Sequence, residues 1–124
     1  MNFDYLDVFV TISTNNIQAL IDFYSHLLQK QPTVYLPGVY GEFQLQKLRL
    51  GIFQPKTERK LEFDNISSSM SLCIEVENLE QAIAFLADMG YTPPGEIIYS
   101  SHGQEIYAYD PEGNRLILHQ AKKK

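Results

Sequence analysis

From Val8 to Ser13 the chain alternates. Val8, Val10 and Ile12 fall on one face, and Phe9, Thr11 and Ser13 on the other. A period of two marks a strand with two unlike faces. The period then changes. After Asn15 and Asn16, the residues Ile17, Leu20, Ile21, Tyr24, Leu27 and Leu28 recur at helical spacing. This predicts an amphipathic helix to about Gln29, started by an Asn cap and stopped by Pro32. Thr33 to Leu36 reads as a short strand and Pro37-Gly38 as a turn. Glu42 to Gln46 and Lys47 to Phe53 read as two more strands. Residues 4–53 thus spell βαβββ. Residues 54–69 carry charge and serine without periodicity and read as a linker, with Leu61 and Phe63 as possible tacks.

The second half repeats the order over residues 70–120. Ser71 to Val76 reads as a strand and Asn78 as a cap. Leu79 to Met89 is a helix with Leu79, Ile83, Leu86 and Ala87 inward, and Gly90 a helix stop. Ile97 to Tyr99, Glu105 to Tyr109 and Arg115 to His119 complete the strands, with turns at Pro93-Pro94-Gly95, Ser101-His102-Gly103 and Asp110–Asn114. The two copies stand 62 positions apart, from Phe9 to Ser71. Val10/Leu72, Ile12/Ile74, Asn16/Asn78, Ile17/Leu79, Ile21/Ile83 and Phe23/Phe85 share that register. A period this long suggests two small modules rather than a solenoid unit.

Composition narrows the function. The chain has 124 residues, 44% of them hydrophobic, which suits one compact domain or two half-domains. The net charge of −5, with no basic stripe beyond Lys122-Lys123-Lys124, argues against nucleic acid. The single cysteine, Cys73, excludes an intrachain disulfide and fits a reducing compartment. No apolar run is long enough to cross a bilayer, and Asp4 and Asp7 stand where a signal peptide is basic. A cytoplasmic protein with no membrane partner is expected.

The strand–Asn–helix opening that ends Asp22-Phe23-Tyr24, its repeat, and the closing Tyr109-Asp110-Pro111-Glu112-Gly113-Asn114-Arg115 together resemble the vicinal oxygen chelate superfamily. This superfamily includes glyoxalase I, bleomycin-resistance proteins and extradiol dioxygenases. The resemblance covers nearly the whole chain. It implies a single α+β domain over 1–124, in which two βαβββ modules form a cupped mixed sheet with helices outside and a ligand in the cup. In metal-using members, the first strand of each module carries a His or Gln at the positions of Phe9 and Ser71. The last strands carry a Glu or His at the positions of Gly51 and Ile117. The first, second and fourth of Phe9, Gly51, Ser71 and Ile117 offer no ligand atom, and a lone serine hydroxyl is a poor one. No metal and no cofactor are therefore expected.

That correspondence sets a parity. Phe9, Thr11 and Ser13, then Arg49, Gly51 and Phe53, then Ser71, Cys73 and Glu75, then Arg115, Ile117 and His119 face the cup. The intervening residues face the helices and are wholly apolar. Tyr107 and Tyr109 join the cup side. The candidate ligand-binding residues are Phe9, Thr11, Arg49, Phe53, Ser71, Cys73, Glu75, Tyr107, Tyr109 and His119. Arg49 suits an anionic group, unless it pairs with Glu42, Glu75 or Glu105. Tyr40, Phe53, Tyr107 and Tyr109 suit a planar ligand, or fill the cup themselves. Catalytic candidates are His119 and Glu75, each with an ordinary structural alternative, and Cys73 reads as a packing thiol. The expected function is binding, to sequester or sense a small, partly aromatic molecule, as in the bleomycin-resistance branch. The alternative is a glyoxalase-type lyase, isomerase or dioxygenase with a displaced metal on His119, Glu75 and Glu105. Unpaired strand edges suggest a homodimer.

Overall fold

The computed structural model describes residues 4, 9–55, 71–101 and 103–122. Val8, most of the expected linker with Leu61 and Phe63, and His102 lie outside the described residues. The chain divides into two compact units, Met1–Ile66 and Ser67–Lys124.

The first unit holds β1 (Val10–Ser13), α1 (Ile17–Leu28), β2 (Val34–Leu36), β3 (Tyr40–Gln44) and β4 (Arg49–Phe53). Its sheet runs in the order β1-β4-β3-β2. β1 pairs parallel to β4, with Thr11 opposite Gly51, and the other pairs are antiparallel. A parallel pair needs a crossover, and α1 begins it. Asn16 caps α1 by accepting from the Ala19 N–H at 3.2 Å. The Ile17 N–H is met by Gln54 Oε1 at 3.4 Å, which ties the end of the sheet to the start of the helix. Gln54 therefore belongs to the first module rather than to a linker. α1 ends at Gln29 in a left-handed conformation, three residues before Pro32.

The core of this unit is the helix stripe against the closed face of the sheet. Leu20, Tyr24, Phe43, Leu50 and Ile52 are fully buried. Each such side chain contributes about 1.5–3 kcal/mol by leaving water. Phe23, absent from the expected stripe, is also buried and meets Tyr24 edge to face at 5.0 Å. β3 begins two residues earlier than expected. The Pro37-Gly38 turn is tight, with Val39 N–H donating to Leu36 O at 2.9 Å and Gly38 at φ 77°, so pairing starts at once with Tyr40 opposite Leu36. A second turn, closed by Leu45 N–H to Leu48 O at 2.7 Å, separates β3 from β4. It contains no Gly or Pro, so composition gave no sign of it.

The second unit repeats the plan with β5 (Leu72–Glu75), α2 (Leu79–Asp88), β6 (Ile98–Ser100), β7 (Gly103–Tyr109) and β8 (Arg115–Ala121), in the sheet order β5-β8-β7-β6. β5 pairs parallel to β8, with Glu75 opposite His119. Asn78 caps α2 by accepting from Gln81 N–H at 3.0 Å, and Gln120 Oε1 accepts from Leu79 N–H at 2.7 Å. Gln54 and Gln120 do the same job in the two units. α2 ends in a Schellman motif, with Gly90 at φ 93°, Gly90 N–H to Ala87 O at 3.0 Å and Tyr91 N–H to Leu86 O at 2.8 Å. Leu79, Leu86, Ala108 and Leu116 are fully buried. Ala87, expected inward, is exposed, because the buried stripe centres on Leu79 and Leu86 and Ala87 falls one step past its margin.

Gly103 opens β7 at φ 140°, opposite Ala121. A Cβ there would overlap the Gln120 carbonyl oxygen and lie 3.0 Å from the Lys122 nitrogen. Both obstacles are backbone, so no side-chain movement relieves them. Gly103→Ala is expected to cost about 1–3 kcal/mol, read as a lower urea midpoint at unchanged slope. Gly95→Ala, with nothing within 4 Å of its Cβ, is the near-neutral control.

Candidate functional site

In each unit one face of the sheet packs on its helix and the other carries the chemistry. On the first unit's open face, register aligns Thr11, Gly51 and Glu42 in one row, and places Arg49 beside Gln44 and Phe53 beside Tyr40. The Arg49 guanidinium lies over the Phe9 ring, 3.9 Å from its centroid. Its Nε lies 3.9 Å from Glu42 Oε1. The Tyr40 hydroxyl donates to the same carboxylate oxygen at 2.7 Å. Glu42, one of the three carboxylates weighed from the sequence, thus faces Arg49 within the first unit. Phe9 remains exposed, at 41%.

Gly51 makes this arrangement fit. A Cβ on it would stand 2.7 Å from the Tyr40 hydroxyl and 3.3 Å from Thr11 Cγ2. The Tyr40 ring therefore leans across the strand over Gly51, a position where the superfamily resemblance would place a Glu or His. Neither the glycine nor the phenol above it supplies such a ligand. Among the described residues, no three His, Cys, Asp or Glu side chains converge to hold a metal ion.

The second unit's open face is a grid set by register. Cys73, Ile117 and Tyr107 form one row, and Glu75, His119 and Glu105 the next. Arg115 stands opposite Tyr109. Arg115 Nε donates to Ser71 Oγ at 2.8 Å, and the guanidinium carbon lies 5.7 Å from the Tyr107 centroid. His119 Nδ1 meets Glu75 Oε1 at 2.8 Å. Glu75 itself is open to solvent, with 65% of its side chain exposed. Cys73, read from the sequence as a packing thiol, is exposed, because it points to the open face of β5. Partial desolvation there, then the charges of Glu75 and Glu105, push its thiol up from its usual value. That keeps it protonated and a poor nucleophile.

The turn joining β7 and β8 is organised by buried Asp110. It accepts from the Glu112 and Asn114 N–H groups, each at 2.9 Å, and from the Asn114 side-chain amide at 2.8 Å. Gly113, at φ 84°, allows the reversal. The turn fixes where Arg115 enters β8.

No family model matches the sequence, and no curated protein matches it. Solved structures do. A glyoxalase/bleomycin resistance protein/dioxygenase family enzyme from Burkholderia phytofirmans aligns with a TM-score of 0.77 at 18% identity, over 92% of this chain and 97% of its own. The chain has the glyoxalase/bleomycin resistance/dioxygenase fold. A glyoxalase/bleomycin resistance protein from Catenulispora acidiphila aligns at 0.66 and 18% identity over 95% and 100% of the two chains. A lactoylglutathione lyase from Agrobacterium tumefaciens aligns at 0.71 and 14% identity, over 92% of each. At these identities the likeness to glyoxalase-type proteins is one of fold. No helix among the described residues is long and apolar enough to cross a membrane.

Every ligand-binding candidate read from the sequence is among the described residues. Phe9, Thr11, Arg49 and Phe53 share the first sheet's open face, and Ser71, Cys73, Glu75, Tyr107, Tyr109 and His119 share the second's. Two features escaped the sequence. Tyr40 and Glu42 act as a pair, and Arg115 is anchored to Ser71. Starting β3 at Tyr40 reveals the first, since it puts Tyr40 and Glu42 on one face.

Tyr40 gives this geometry a direct readout. Burial, then the hydrogen bond to Glu42, raise its phenol from 10.0 to about 12. Of the eight tyrosines, Tyr40 is expected to ionise late in a phenolate-absorbance titration, and Tyr40→Phe to remove that late step. Glu42→Gln is expected to move it down but not back to 10.0, because burial is the larger cause. The folded value exceeds the unfolded one, so the stability Tyr40 contributes is complete below pH 10 and is lost as pH rises towards 12.

Proposed function

We propose that this protein binds a small, partly aromatic molecule bearing a carboxylate or carbonyl, and that it does so without a metal. The observation that carries the proposal is the Tyr40 phenol lying over Gly51. It replaces a ligand-bearing position with an aromatic, hydrogen-bonding surface. Around it stand Phe9, Thr11 and Phe53 for an apolar body, and Arg49 for an anionic end. Apolar walls with a few fixed polar groups are what small-molecule recognition requires. Tyr107 and Tyr109, each 38% exposed, give the second sheet similar stacking surface. The fold's likeness to glyoxalase/bleomycin resistance proteins supports a sequestering or sensing role by analogy alone. A homodimer belongs to the same proposal, since among the described residues each four-stranded sheet ends on strands paired on one side only.

Arg49→Met tests the anchor. It keeps much of the stem and removes the charge. Affinity for a benzoate-like ligand found by screening is expected to fall by about 2–5 kcal/mol, as when one side of a buried charge contact is truncated. Glu42 keeps Tyr40 but loses its cation in the same variant, so a small fall in melting temperature accompanies it. A fall in melting temperature with affinity unchanged would limit Arg49 to an internal ion pair and sink the anchoring role. Metal analysis of the purified protein after dialysis is expected to find no stoichiometric transition metal. Bound zinc, iron, nickel or manganese would favour the lyase or dioxygenase reading instead.

A further inference from the structure

The second sheet's open face is polarised along β8, in a way that binding by stacking alone does not need. At one end is Arg115, fixed by Ser71 Oγ at its Nε and leaning over Tyr107. In the middle are Ile117 and Tyr107, directly opposite each other. At the other end His119 stands between two carboxylates, Glu75 on β5 and Glu105 on β7. We infer that this face recognises an amphoteric molecule of about one ring's length, with an anionic group on Arg115, a flat body over Ile117 and Tyr107, and an ammonium or similar donor at Glu75, His119 and Glu105. The inference rests on the binding reading above and narrows its ligand class.

The geometry supports both ends. Ser71 occupies the Nε of Arg115, so the terminal amines are the atoms directed to an incoming carboxylate. At the acid end a carboxylate can only accept, so His119 donates from Nδ1 to Glu75. In the neutral ring that leaves Nε2 as an acceptor. The end therefore presents acceptors to a donor-rich cation. Glu75 and Glu105 both act on Cys73, between them and Ser71, so their fields overlap above the sheet. Beyond Glu75 lies an open hollow of about 410 Å³ that is also lined by Glu77, a third carboxylate. The spacing fits as well. Arg115 and His119 are four residues apart, about 13 Å of strand, which a one-ring molecule spans with a hydrogen bond of about 3 Å at each end.

The probes are 4-(aminomethyl)benzoate, benzoate and benzylamine, each titrated into the full chain and followed by backbone amide shifts. The amphoteric probe is expected to bind about fivefold or more tighter than either single-ended one, as one added ion pair would give, with shifts centred on Arg115, Ile117 and His119. Arg115→Met is expected to weaken 4-(aminomethyl)benzoate and benzoate and spare benzylamine. Arg115→Lys should restore part of that loss, which separates lost charge from lost folding. Glu105→Gln is expected to weaken 4-(aminomethyl)benzoate and benzylamine and spare benzoate. Equal affinity for all three probes, or shifts confined to Phe9, Arg49 and Tyr40, would overturn the inference while leaving small-molecule binding intact. No shift with any probe also overturns it. Binding in general fails separately, only if the screen for benzoate-like ligands is empty too.

Discussion

The parallel pairing of first and last strand within each unit is the constraint from which the rest follows. β1 on β4 and β5 on β8 cannot be joined by a hairpin, so each unit carries a helix between them. The helix must start where the last strand ends, and two side chains enforce this in each copy. Asn16 and Gln54 hold the first turn of α1, and Asn78 and Gln120 hold that of α2. A slip of one residue in either parallel pair would turn Leu50 and Ile52, or Leu116 and Leu118, to the open face and bury charge in their place. Register is thus fixed by the core, and the chemistry of the open faces inherits it.

On the first sheet that inheritance puts a glycine at the centre. Gly51, opposite Thr11 and Glu42, leaves space that the Tyr40 ring takes up, and the phenol then finds Glu42. The same carboxylate faces Arg49, whose guanidinium covers Phe9. Four side chains from two strands and the approach to β1 become one unit. The second sheet has an isoleucine at the equivalent position, with Tyr107 directly opposite it. Arg115 matches Arg49 in the repeat, yet it is held by a neutral serine rather than a carboxylate. One repeated plan has therefore produced two faces of different polarity, one with its arginine beside a carboxylate and the other graded from cation to acid.

The repeat itself was legible along the chain because burial imposes its period on sequence. Val10/Leu72, Ile12/Ile74 and the Asn caps stand in register since both copies must cover a helix with a sheet. Strand parity was legible for the same reason, since one side of each strand is apolar. Element ends were less so. β3 began at Tyr40 because a tight Pro37-Gly38 turn starts pairing at once, and the Leu45–Leu48 turn carries no breaker residue. Phe23 joined the core because the helix buries a wider stripe than the one read from its spacing.

By itself, then, the sequence determined the βαβββ order in each half, the caps and the apolar faces. Those properties are local or periodic, and solvent exclusion writes them into the chain. Only the tertiary structure decided partners. Arg49 faces Glu42 because β3 and β4 are neighbours in the hydrogen-bonded order. His119 found Glu75, 44 residues away, because β5 and β8 are parallel neighbours. Which charges meet depends on strand adjacency and on the room left by residues such as Gly51, and neither is carried by any periodic signal along the chain.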